Sequence, residues 1–208
     1  MTIWETFFFE KSELLLEKGN VVLDVGGGLR VSKKKGNRFD KNRERLLPFL
    51  EQTDYKVLDP VPDYEPDIVG DIHHLPLPSN SLDAVFCLAV LEHVEDPWKA
   101  MDEMLRVLKP GGKILLYIPF LYYYHAERGY YKDYWRFSLD ACKLLMKPFI
   151  HTEFVSVRGA LETVLNLIPG GKTKILVSCA RILDRVFKKT ESLQTSGYYM
   201  YGEKKQSL

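Results

Sequence analysis

The feature that most constrains this chain is an apolar, β-branched run ending in three glycines, Val21-Val22-Leu23-Asp24-Val25-Gly26-Gly27-Gly28. Such a run reads as a strand covered on both faces of a parallel sheet. Glycines at its end allow a tight turn and a close approach of the backbone to a ligand. Similar runs recur at 55–59, 82–88 and 112–119, and helix-like segments lie between them. The segment 97–108 is one of these: Asp96 can cap it, Pro97 opens it, and Pro110-Gly111-Gly112 can stop it. Strand alternating with helix predicts an α/β fold around a parallel sheet. A leading helix at 4–18 closed by Gly19, helices at 138–147, 161–167 and 174–188, and strands at 152–157 and 197–203 complete the pattern. The helix 174–188 is apolar over more than half its circumference and is expected to cover core, with a membrane or a second copy as the alternative. At 208 residues, without an internal repeat or a linker, the chain reads as one domain, 1–208.

Charge and cysteine content exclude several classes of function. The balance of 29 basic to 28 acidic residues gives no global attraction to nucleic acid or an anionic membrane and argues against either as the main partner. One local exception is 30–45, with eight basic residues against Asp40 and Glu44, which could guide an anionic acceptor, RNA included. Cys87, Cys142 and Cys179 are odd in number and far apart, so neither a disulfide framework nor a zinc cluster is expected, and Cys87 on a central strand reads as core. The adjacent pair His73-His74 diverges and has no carboxylate or cysteine at ligand spacing, so no metal is expected there. The apolar patch at the N-terminus is too short for a signal peptide or a membrane span. The expected compartment is the cytoplasm.

The glycine turn departs from the dinucleotide fingerprint, because Gly26 and Gly28 are followed by Leu29, Arg30 and Val31 rather than by a third small residue. A carboxylate at the strand end, Asp24, suits a cationic or amine-bearing ligand. From Val21 to Phe137 the residues resemble the class I S-adenosylmethionine-dependent methyltransferases, of the small-molecule type 11 kind. The resemblance implies a doubly wound, Rossmann-like, seven-stranded and mostly parallel sheet, with 197–203 as the antiparallel strand near one edge. It assigns Asp24, Gly26, Gly27 and Gly28 to the methionine part of the cofactor, Asp59 to the ribose hydroxyls, and Asp71 and Ile72 to the adenine, with Leu88 at the end of the next central strand beside them. The stretches 91–97 and 106–119 complete the match. The implied cofactor is S-adenosyl-L-methionine and the product S-adenosyl-L-homocysteine. The gap of 35 residues from Asp24 to Asp59 implies an insertion at 31–45.

Residues 119–137 hold nine aromatics in nineteen positions and six of the chain's twelve tyrosines. They read as an ordered lid leaving the fifth strand at the edge where ligands of such sheets bind. The segment resembles one found in methyltransferases encoded among bacterial surface-polysaccharide genes. Flat aromatic faces suit sugars or bases, so the expected acceptor is a small or glycan-related molecule methylated on oxygen. His93, Tyr124, Tyr134 and Arg136 are the candidate substrate contacts, and His125 and Asp133 the candidate catalytic pair, His125 because an imidazole titrates near neutrality. Trp135 and Phe137 could instead anchor the lid while Asp133 and Arg136 pair locally. Two rival readings are a nonenzymatic cofactor-binding protein whose acceptor pocket the tyrosines fill, and an RNA or protein methyltransferase docking through 30–45.

Overall fold

The computed structural model describes residues 1–31, 39–169 and 173–206. Seven strands form one sheet: β1 (Val21–Val25), β2 (Asp54–Asp59), β3 (Ile68–Val69), β4 (Leu82–Leu88), β5 (Leu108–Pro119), β6 (Phe149–Val157) and β7 (Gly197–Lys204), in the spatial order β3-β2-β1-β4-β5-β7-β6. The pairs from β3 to β5 are parallel, and β7 lies antiparallel between β5 and β6. The expected doubly wound, mostly parallel sheet is therefore present, with its antiparallel strand one place in from the edge.

Both faces are covered, as the unbroken apolar strands require. Along β4 alternate side chains go to opposite sides. Ala84, Phe86 and Leu88 join a cluster with Phe7, Phe8 and Leu15 of helix α1 (Ile3–Leu15), while Val85 and Cys87 join Ala100, Met101, Met104 and Val107 of helix α3 (Pro97–Val107). Helix α1 starts at a capping box, in which Thr2 Oγ1 accepts from Glu5 N and Glu5 Oε2 accepts from Thr2 N. Helix α3 begins as its sequence predicts, Asp96 Oδ1 accepting from Lys99 N at 3.0 Å. Its end differs. β5 starts at Leu108, and Lys109–Gly112 forms an irregularity in that strand, with Gly111 at φ +77°, before pairing resumes at Lys113.

Three further differences matter. The strand β3 has two residues, Ile68 and Val69, too few to show a period. Between β1 and β2 the helical turns are a 3₁₀ segment, Lys41–Leu46, and the one-turn helix α2 (Leu47–Leu50). Much of the predicted insertion, with Lys33, Lys34, Lys35 and Arg38 of the basic loop, lies outside the described residues; Arg43 and Arg45 sit over the rings of Phe8 and Phe9 on α1. Finally, after helix α4 (Leu139–Leu145), helix α6 (Lys174–Val186) does not cover the core. It packs on helix α5 (Ala160–Leu167), buries only Ala180 and Asp184, and leaves Ile175 77% and Val186 66% exposed. Polar contacts join the two helices: Asp184 accepts from Leu161 N and Glu162 N, and Arg181 pairs with Glu162. Among the described residues, no helix is long and apolar enough to cross a membrane.

Candidate active site

The carboxyl ends of β1, β2 and β4 open into a cleft of ≈ 1070 Å³. Its floor is the glycine turn. Gly26 and Gly27 take φ of +72° and +59°, and Gly26 N donates to Leu58 O at 2.7 Å. A Cβ at Gly28 would stand 2.6 Å from both the Cβ and the carbonyl oxygen of Leu88, so only glycine lets this turn lie against the end of β4. Gly26, Gly27, Gly28, Asp59, Asp71, Ile72 and Leu88 all line the cleft.

Three carboxylates mark this side. Asp24 lies beneath the wall rather than on it. Its Oδ2 accepts from Leu29 N at 3.0 Å and Tyr55 OH at 2.6 Å, while Oδ1 is buried without a partner. Burial pushes the Asp24 carboxyl up to about 6, against the pull of the Tyr55 hydroxyl and the Leu29 N–H. Asp59 spends Oδ1 on Val61 N at 2.8 Å and lines the cleft half-desolvated, which raises its carboxyl above the usual range. At Asp71 burial is outweighed by His73, whose backbone N–H and ring both bond to Oδ1, so the carboxyl is held below its ordinary value. Asp59 and Asp71 each engage Oδ1 and keep Oδ2 available for a ribose hydroxyl and an exocyclic amine, and Ile72 offers the apolar surface a purine needs. These residues fit S-adenosylmethionine.

The lid forms the opposite wall. His93, Tyr124 and Tyr134 line the cleft. Tyr130 stacks on Tyr64 at 5.5 Å and donates to Asp63 at 3.1 Å, so the lid reaches across to the β2–β3 connection. Its root is fixed by Trp135 Nε1, which donates to Val94 O at 2.9 Å, and by buried Phe137.

His125, Asp133 and Arg136 stand behind this wall rather than on it. Arg136, expected to touch substrate, grips Asp133 with both terminal nitrogens, at 2.5 and 2.6 Å, and donates to the carbonyls of Tyr122, Tyr123 and Trp135. Its role is to hold the lid. Burial alone would raise the Asp133 carboxyl, but Arg136 and the His125 N–H outweigh it and hold it at about 2. A carboxylate so committed is a poor proton acceptor at neutral pH. The His125 imidazole is raised above its ordinary value, first by the Glu92 carboxylate. His125 lies ring to ring with His93 at 4.7 Å, and His93 lines the cleft.

Glu92 is the residue the sequence reading missed. It is wholly buried in the 3₁₀ turn Leu91–His93, and neither carboxylate oxygen has a hydrogen-bond partner. The signal was a buried-type position beside His93 in a loop already recognised as functional, but charge alone does not reveal burial. The pair His73-His74 does not converge: His73 joins Asp71 and His74 joins Lys99.

Residues 49–116 match the family described as "Methyltransferase domain". A S-adenosylmethionine-dependent methyltransferase from Archaeoglobus fulgidus superposes with a TM-score of 0.60 at 14% identity, covering 95% of this chain and 92% of that one. The fold is that of the class I S-adenosylmethionine-dependent methyltransferases. An uncharacterized methyltransferase of Mycobacteroides abscessus is 32% identical over 120 residues, 53% of this chain and 44% of the relative. A ubiquinone/menaquinone biosynthesis C-methyltransferase of Vibrio cholerae is 30% identical over 123 residues, 55% of this chain and 46% of the relative. The chain thus spans less than half the length of these curated relatives. The family match and the fold agree, and the lining of the cleft fits S-adenosylmethionine.

Proposed function

We propose that this protein transfers a methyl group to an oxygen of a small, sugar-like or otherwise hydroxylated acceptor. The observation that carries this reading is the two-sided cleft: cofactor residues line one side, and Tyr124, Tyr134 and His93 line the other, with open space between them. The open cleft disfavours a nonenzymatic binder whose tyrosines fill the acceptor pocket. Asp59, Asp71 and Ile72 bind and orient the cofactor, and the glycine turn lets it lie close to the backbone. When bound, the cofactor supplies a methyl group already activated on a sulfonium. The protein's task is then alignment and proton removal. The lid tyrosines hold a flat acceptor face, and His93 is the imidazole that meets an acceptor hydroxyl. His125 and Glu92 support it from behind, and Asp133 positions His125 under the grip of Arg136.

The test is a labelled-methyl assay over nucleotide sugars, free sugars, simple phenols and a demethylated quinol, after calorimetry with S-adenosylmethionine, S-adenosylhomocysteine and NAD. Micromolar binding of the first two, none of NAD, and a methyl ether as product support the reading. A product methylated on carbon, the chemistry for which the Vibrio relative is named, overturns the oxygen assignment. His125→Ala is expected to leave cofactor affinity intact and lower kcat, because it acts on the acceptor side; normal turnover removes His125 from the mechanism.

A further inference from the structure

Behind the acceptor wall, three potential ligand atoms converge. Glu92 Oε1 stands 3.8 Å from His93 Nε2 and 3.7 Å from His125 Nε2, and the three atoms lie within 4.8 Å of one another. The histidines come from separate segments: His93 from the turn after β4 and His125 from the lid after β5.

The surroundings fix what each group presents. His93 Nδ1 is 2.7 Å from Lys132 O, a carbonyl that can only accept, so Nδ1 carries the proton and Nε2 presents a lone pair. His125 Nδ1 lies 3.1 Å from both Tyr123 O and Asp133 Oδ2, with the nearest competing donor, Arg136 Nη2, farther off at 3.4 Å; its proton also belongs on Nδ1. In their neutral forms the two imidazoles therefore turn their lone pairs toward each other and the carboxylate. Glu92 is 0% exposed and both its oxygens lack a hydrogen bond. Leaving a buried carboxylate uncompensated in this way costs several kcal/mol. A cation at the centre removes that cost. Histidines anchored through Nδ1 on carbonyl or carboxylate oxygens are also the outer arrangement that metal-ligating histidines show.

We propose that Glu92, His93 and His125 bind one divalent first-row transition-metal ion. Two imidazoles and one carboxylate suit Zn²⁺, Fe²⁺, Co²⁺ or Mn²⁺ better than Mg²⁺ or Ca²⁺, which prefer oxygen alone. Ligands about 2.1 Å from an ion at tetrahedral angles are about 3.4 Å apart, so each histidine needs to close on Glu92 by only a few tenths of an ångström, while the two histidine nitrogens, within 4.8 Å of each other, need a larger rotation. His93 is on the cleft wall, so an ion held by it would lie at the margin of the cleft. Resting on the reading of oxygen methylation, the ion, once it occupies His93 Nε2, would take the place of that imidazole as the group that meets the acceptor hydroxyl, lowering its pKa so that the proton leaves to solvent in the cleft.

The experiment uses the full, untagged chain, stripped with EDTA, without cofactor or acceptor. It is titrated calorimetrically with ZnCl₂, CoCl₂, MnCl₂ and MgCl₂, and the visible band of bound Co²⁺ is recorded. The expected result is one equivalent of Zn²⁺ and Co²⁺, with Mg²⁺ far weaker. Affinity should fall at least about a hundredfold in His93→Ala and Glu92→Gln and stay unchanged in His74→Ala, whose partner is Lys99. His93 is half-buried, so His93→Ala remains informative if Glu92→Gln fails to fold by circular dichroism. No stoichiometric binding by the wild type, or binding that survives His93→Ala, overturns the proposal. Because metal binding is read without methyl transfer, its failure leaves the oxygen-methylation reading standing. Binding of the metal alongside a carbon-methylated product would overturn only that reading.

Discussion

Asp24 offers a test in which stability and ligand binding should move in opposite directions. Its carboxyl is wholly buried at the end of β1, and burial pushes it up to about 6 from an ordinary 3.8. An acid whose folded pKa exceeds its unfolded value stabilises the fold when protonated. That contribution is complete below about pH 4 and is lost as pH rises through about 6. At about 1.36 kcal/mol per pKa unit, the rise to about 6 amounts to roughly 3 kcal/mol. Asn at this position cannot ionise, yet its amide oxygen can still accept from Leu29 N and Tyr55 OH. Asp24→Asn should therefore gain roughly 3 kcal/mol on the wild type between pH 4 and pH 7, about 6–12 °C in Tm for a chain of this size. The assay is thermal unfolding of both proteins without cofactor across that range, taking the difference so that other titrating groups cancel. If Asp24 holds the amino group of the cofactor, the same variant binds S-adenosylmethionine more weakly while being more stable at pH 7. A difference in Tm that stays constant with pH would refute the argument, since no buried ionisable carboxyl would then be in play.

Two further substitutions probe the same side of the cleft. Asp59→Ala removes the carboxylate assigned to the ribose and should weaken S-adenosylmethionine binding by about 1.5–3 kcal/mol, with Asp59→Asn intermediate because it still accepts from Val61 N; calorimetry showing unchanged affinity in a folded variant would sink the assignment. Gly28→Ala forces a Cβ against backbone as well as side-chain atoms of Leu88 and should destabilise by about 1–3 kcal/mol in denaturant titration. Trimming Leu88 should not rescue it fully, because the carbonyl oxygen remains.

What could be read from the sequence was local. The glycine turn, the carboxylates at the ends of β1 and β2, and the strands β4 and β5 each announce themselves within a few residues, since burial on both faces produces an unbroken apolar run. β3 did not, because Ile68–Val69 is paired through its neighbour rather than through its own pattern. Helix α6 failed for a different reason. An apolar stripe shows that a helix can be covered, not that the fold brings anything to cover it, and α5 takes only a narrow part of that stripe. Arg136 was expected at the substrate because an arginine in an aromatic loop can bind an anion. The aspartate three residues before it is the nearer partner, and the pair stabilises the lid instead. Glu92 and His125 are 33 residues apart, and only the return of the lid over the β4 end brings them together.

Glu92 and Asp24 have a common physical meaning. Among the described residues, Asp24 Oδ1 and both oxygens of Glu92 are buried acceptors without a donor, and both residues lie at the carboxyl edge of adjacent strands, Asp24 within β1 and Glu92 just beyond β4. A core selected for stability alone would neutralise such groups or replace them with apolar ones, since an unpaired buried carboxylate costs more than it returns. Elsewhere this chain does satisfy its buried carboxylates: Asp184 caps α5, and Glu162 binds Arg181. Among the buried carboxylates of the described residues the deficit falls at two points bordering one cleft, one beneath the glycine turn and one behind the lid. Each is a site of negative potential that waits for positive charge: an ammonium or sulfonium at the first, a metal ion at the second. Binding at either would recover electrostatic free energy withheld during folding. Each ligand should therefore raise the unfolding temperature of the wild type, and the increment should shrink when its own carboxylate is replaced while the other ligand's increment persists.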